Sequence, residues 1–167
     1  MYQSAPRAPL WRRLAAMMYD VMALIALIML GAAVAAFIVN AGEKFGIISF
    51  DGYKDYADYM NSGWRRWAYL VYFFTITICF YVYFWSKAGQ TLGMRAWRLL
   101  LVNQDGTLLK PSKALLRSLL ALAGLGNLWL IIRFGKGLAL QDQLTDSQMI
   151  VLTKEQSSLR NLHKEAR

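Results

Sequence analysis

The sequence predicts an all-α membrane protein with two transmembrane helices, a third membrane-embedded helical segment and a small cytoplasmic β-hairpin. Three observations carry that expectation. Of the 167 residues, 57% are hydrophobic and 17% charged, against about 25% charged in a soluble domain. The apolar residues come in blocks, and both Val21–Val39 and Trp67–Trp85 are nineteen residues without a charge. A helix rising ~1.5 Å per residue needs about 20 residues to cross ~30 Å of hydrocarbon.

The elements follow in order. The first span covers about 14–39 and is introduced by Arg12 and Arg13. Its apolar run is longer than the roughly 7–15 residues of a signal-peptide core, and it carries Asp20 near its start, so it reads as a span and not as a cleaved leader. Gly31, Ala32, Ala35 and Ala36 give it small-xxx-small spacings, the pattern that lets a second helix approach closely. The segment 40–66 balances four basic residues against four acidic ones, and Asp51, Asp55 and Asp58 lack the spacing of a calcium loop. The second span covers about 67–85. Trp64, Trp67, Tyr69, Tyr72, Tyr81, Tyr83 and Trp85 crowd it and its ends as interfacial aromatic belts do.

Residues 86–113 hold five basic residues against Asp105 alone, and the first thirteen hold three arginines and no acid. Positive charge in short segments marks the cytoplasmic side, which puts the N-terminus and 86–113 in the cytoplasm. In "RAWRLLLVNQDGTLL", Asp105–Gly106 is a favoured two-residue turn, so a hairpin is expected there. The third hydrophobic segment, about 114–134, opens with Arg117 and is broken at its centre by Gly124, Gly126 and Asn127. It is either a short third span or a pair of half-helices that dip into the inner leaflet and return, and the central break favours the second. A membrane domain then covers 1–152 and a polar cytoplasmic tail 153–167.

Asp20 is the exceptional residue. A carboxylate within a span is costly and normally faces a bundle interior with a partner. Arg117 stands at a comparable depth and is the expected partner, with Arg13 the more distant candidate. Asp20 is then either a proton or cation site tuned by an arginine or half of a fixed pair that locks two segments together. Asp142 and Asp146, four residues apart, would share a face if 138–152 were helical. Cys79 and His163 are each the sole residue of their type, which speaks against a disulfide, a metal cluster and histidine chemistry. No cofactor and no enzymatic activity are expected. The net charge of +9 flanks hydrophobic segments, so the lipid bilayer and not nucleic acid is the expected partner.

"WRRLAAMMYD", "GQTLGMRAWRLLLVNQDG", "ALLRSLL" and "QDQLTDS" together resemble the RDD family of small bacterial membrane proteins. The resemblance spans roughly residues 9–152. It matches the family's one arginine and two aspartates to Arg13, Asp20 and Asp142. Its Gly-x-Thr-x-Gly segment falls on Gly89, Thr91 and Gly93, and its third-segment arginine on Arg117. Met94 stands where the family usually has lysine, and Gln141, Thr145, Asp146 and Ser147 alter the surroundings of Asp142. The resemblance implies a multi-pass protein of the bacterial cytoplasmic (inner) membrane. It also suggests a transport-related role that handles a proton or small cation; a bundle of two or three helices is too thin to enclose a pathway, so an oligomer or a partner membrane protein is expected with it. The competing reading is an adaptor or assembly subunit whose buried charges only hold the fold.

Overall fold

The computed structural model describes residues 5–121 and 139–157. Eight elements follow one another: α1 (Leu10–Lys44), α2 (Tyr56–Asn61), α3 (Gly63–Lys87), α4 (Leu92–Ala96), β1 (Leu99–Asn103), α5 (Pro111–Leu120), α6 (Leu140–Leu144) and β2 (Ser147–Val151).

Two of these helices are long and apolar enough to cross a bilayer, and almost nothing in the protein covers them. In their most apolar 18-residue windows only 11% of α1 and 6% of α3 is buried. A core helix of a soluble protein would be mostly covered, so these surfaces suit lipid. Pro9, which lacks an N–H, stands before the first turn of α1, where its carbonyl accepts from the Arg13 amide. At the other end Gly46 takes a φ of +70°, and the amides of Ile47 and Ile48 return to the Gly42 carbonyl, which closes the helix as left-handed caps do.

Contacts divide the chain into two units, Leu24–Thr77 and the remainder, Met1–Ala23 with Ile78–Arg167. Within Leu24–Thr77 the small-residue stripe meets the protein's own second long helix. The Tyr72 hydroxyl donates to the Gly31 carbonyl at 3.2 Å. A Cβ at Gly31 would lie 2.7 Å from Ile76 Cδ1. Ala32, Ala35 and Ala36 are half-buried. The same unit orders its connecting segment. Asp55 caps α2 by accepting from the Asp58 amide, and Arg65 donates to the Tyr59 carbonyl and the Tyr53 hydroxyl while lying over both rings. The charge beside that span end is thus folded into an aromatic cluster.

The other unit is built on a two-stranded antiparallel ribbon. Leu99 pairs with Val151 and Asn103 with Ser147. Here the structure corrects the expected hairpin. The Asp105–Gly106 turn does form, with Gly106 at φ +87° and the Asn103 amide donating to the Thr107 carbonyl. The residues after it run directly into Pro111 and α5, and the strand beside β1 comes from 147–151 instead. The reason is burial on both faces. Leu99, Leu101 and Met149 belong to one apolar cluster with Ala16 and Trp85, while Leu100, Val102 and Ile150 belong to another. Chain preceding α1 adds to the free edge of β2, with the Ala8 amide donating to Met149 and the Val151 amide to Pro6. Of the third hydrophobic segment only the part in α5 is described. Its central Gly124, Gly126 and Asn127, and the tail beyond 157, lie outside the described residues.

Candidate functional site

Among the described residues, four charged side chains are buried in the unit that carries the ribbon: Arg13, Asp20, Arg117 and Asp142, each at most 2% exposed. The sequence singled out all four, and the structure arranges them differently from the expectation.

Three of them meet in one clamp. Arg13 Nη2 lies 2.7 Å from Asp142 Oδ2, and Arg117 Nη2 lies 2.5 Å from Asp142 Oδ1. Asp142 sits in the first turn of α6, where the Ala139 amide also donates to it at 3.3 Å. Arg117 reaches it from the buried side of α5 and donates through Nη1 to the Ser147 hydroxyl at the start of β2. Thr145 and Ser147 hydroxyls are 2.8 Å apart beside it. The Trp85 ring lies under the Arg117 guanidinium with 5.4 Å from centroid to Cζ, a cation–π distance. Arg13 also donates through Nε to the Ala8 carbonyl, so the clamp joins α1, α5, α6 and the segment that edges β2. Burial alone would push the Asp142 carboxyl up, but the two guanidiniums outweigh it and hold the group below the usual carboxylate range.

Asp20 stands apart from this clamp, which corrects the expectation of an arginine beside it. The ion pairs of Arg13 and Arg117 run to Asp142. Asp20 is held by two neutral donors, the Thr91 hydroxyl at 2.6 Å to Oδ2 and the Gly93 amide at 2.8 Å to Oδ1. Thr91 is also the N-cap of α4, where its hydroxyl accepts from the Met94 amide at 3.2 Å. The Gly-x-Thr-x-Gly segment is therefore the cradle of Asp20. At Gly93 a Cβ would collide with the Ala16 carbonyl of α1 and stand 3.0 Å from Asp20 Oδ1. At Gly89 the φ of +65° and the bond from the Leu101 amide turn the chain from α3 back to the ribbon. Met94 is 3% exposed in the apolar cluster, a position where a lysine would have to bury its charge.

One further expectation changes. Asp142 and Asp146 share no helical face, because α6 ends at Leu144 and Asp146 is exposed at φ +39°. The small-residue stripe of α1, whose spacing lets a second helix approach closely, has Tyr72 and Ile76 of α3 against Gly31. Sequence reasoning did not assign Thr91 and Gly93 to Asp20, nor Ser147 to Arg117. A threonine just ahead of a short helix is a favoured N-cap, and that signal points to Thr91. Nothing local marks Ser147. Among the described residues no three His, Cys, Asp or Glu side chains gather to hold a metal ion.

Two exposed apolar helices joined to a unit with a charged interior define a helical membrane protein. The model of the RDD family matches residues 7–146, a stretch that contains all four buried charges. The chain belongs to the RDD family, whose proteins are membrane proteins. No curated protein and no solved structure matches the chain.

Proposed function

We propose that this chain is a transport-related membrane protein in which Asp20 takes up and releases a proton, or holds a small cation, as part of an oligomer or complex. The observation that carries the reading is the pair of neutral donors on a carboxylate within the first span. A lone buried carboxylate is costly in its charged form, and donors without charge leave it free to gain a proton. The Thr91 hydroxyl suits both states. It donates to the carboxylate, and it has a second acceptor site beside the one used by the Met94 amide, which can receive the proton of a neutral Asp20. Asp142, by contrast, is fixed in its charged form by two arginines. A bundle of two or three helices is too thin to enclose a pathway, hence the oligomer. No enzymatic step belongs to this reading.

The test is proton or sodium flux into proteoliposomes with a pH-sensitive dye inside. The wild-type chain is expected to move the ion. Asp20→Asn is expected to fold, since its amide can still accept from Gly93 and donate to Thr91, and to lose the flux. An Asp20→Asn variant as fast as wild type would overturn the reading, as would a wild-type chain without flux.

The clamp favours a second reading, an adaptor or assembly subunit. Its carboxylate and guanidiniums satisfy one another, which suits a structural lock. On that reading neither form shows flux, and Asp142 variants lose a co-purifying membrane protein.

A further inference from the structure

The unit that holds the clamp is apolar where water would be expected and charged where oil would be. Helix α5 shows this most sharply. Its inner side carries Ala114, Arg117 and Ser118 at 0%, 1% and 8% exposure. Its outer side carries Leu115, Leu116 and Leu119 at 43–49%. Positions i, i+1 and i+4 lie on one side of a helix, so the three leucines form a stripe that the described protein leaves open. Lys110 and Lys113 stand at the N-terminal end of the same helix; Lys110 is exposed, whereas Lys113 is half-buried and its Nζ donates to the Asp146 carbonyl at 3.3 Å. A basic residue beside a leucine stripe on a short helix matches a membrane surface, where the stripe enters the acyl boundary and the ammonium group meets phosphate. The ends of both long helices, Leu10–Ala23 of α1 and Ile78–Lys87 of α3, belong to the same compact unit. Helix α5 is thus tethered to the spans.

We infer that α5 is an interfacial helix that docks on anionic phospholipid, with Leu115, Leu116 and Leu119 in the acyl boundary and Lys110 on the headgroups. This holds whether or not Asp20 moves a proton. Ten residues span about 15 Å, enough to lie along the membrane and too short to cross it. Arg117 emerges from the opposite side of this helix, so the surface that meets lipid and the surface that builds the clamp are two faces of one element.

The test uses the full chain in proteoliposomes, with Cys79→Ser to remove the native thiol. A bimane probe is attached through Leu116→Cys, Met22→Cys or Asp105→Cys, and lipids are brominated at shallow or deep positions. The probe at 116 is expected to be quenched more by shallow than by deep bromines. The probe at 22, on the exposed face of α1, should show the reverse order, and the probe at 105 little of either. A probe at 116 as wet as the one at 105 overturns the proposal. So does a probe at 116 that is shielded from bromines at working density and becomes quenched only when vesicles are diluted to one chain each, because a second copy would then be the occupant. Mass spectrometry of lipid retained through detergent extraction tests the headgroup contact. Lys110→Gln should lower retained anionic lipid roughly fivefold and leave zwitterionic lipid unchanged, and Lys113→Gln, whose ammonium is turned to Asp146, should change it less. Retention equal to wild type overturns the headgroup contact.

Discussion

At the scale of single residues, the two aspartates differ in what holds them. Asp142 neutralises Arg13 and Arg117, all at most 2% exposed. Removing one partner from a buried ion pair leaves unpaired charge and costs about 3–5 kcal/mol. Asp142→Asn strands two guanidiniums, so it is expected to destabilise the protein by at least that much in thermal unfolding in detergent. Asp20→Asn keeps its neutral partners and is expected to cost far less in the same measurement. The pH dependence has a definite sign. The folded Asp142 carboxyl titrates below its ordinary 3.8, so its contribution is complete above that value and is lost as pH falls through the lower, folded one. Melting between pH 7 and pH 5 should therefore show no loss that depends on Asp142, and such a loss should begin only below about pH 4. That Asp20 and Arg117 are buried was legible, because charges inside apolar runs need shelter, whereas Asp142 lies in a polar stretch and its burial was not. Which charge meets which was not legible either. Asp142 lies 25 residues from Arg117 and much further from Arg13, and spacing says nothing about partners that only the folded chain brings together.

Glycines decide how closely two elements approach. Gly93 lets α4 sit against α1, and the group in the way of a Cβ there is the backbone carbonyl of Ala16. Backbone cannot swing aside, so Gly93→Ala is expected to cost about 1–3 kcal/mol or more and to loosen the cradle of Asp20. At Gly31 the obstacle is the end of the Ile76 side chain, which can rotate. The better helix propensity of alanine, about 0.5–1 kcal/mol, then offsets the crowding, and Gly31→Ala should stay within about 1 kcal/mol of wild type. Paired melting curves in one detergent check both. Elements with a strong period or a long apolar run were readable, namely α1, α3 and the turn at Asp105–Gly106. The partner of β1 was not, since "SQMIV" is a short apolar run in a segment that reads equally well as helix. Its strand form depends on β1 offering two faces to cover at once.

For the whole molecule, the ribbon constrains how the chain crosses the membrane. β1 follows the second long helix and β2 follows the third hydrophobic segment, and the two are hydrogen-bonded along five residues each. Chain between two paired strands must return to the side from which it left. Reporter fusions placed in the exposed turn at Asp105 and after Ser157 are therefore expected to read the same side. The residues before α1 also bond to β2, so an N-terminal reporter should agree with both. Opposite readings would mean that the ribbon does not form in the membrane. Composition already indicated two spans, because a block of nineteen uncharged residues has few other uses. The central break left the third segment with two geometries, and the residues that would separate them lie outside the described ones.

Order of synthesis gives the clamp one more consequence. Arg13 and Asp20 leave the ribosome with the first hydrophobic helix, whereas Asp142 and the strand that braces Arg117 emerge long afterwards. During translation the nascent chain must therefore carry both charges into or beside the translocon with their final neighbours still unmade. A product that stops before α6 would leave Arg13 without Asp142, so the far end of the domain completes a site that its first helix begins.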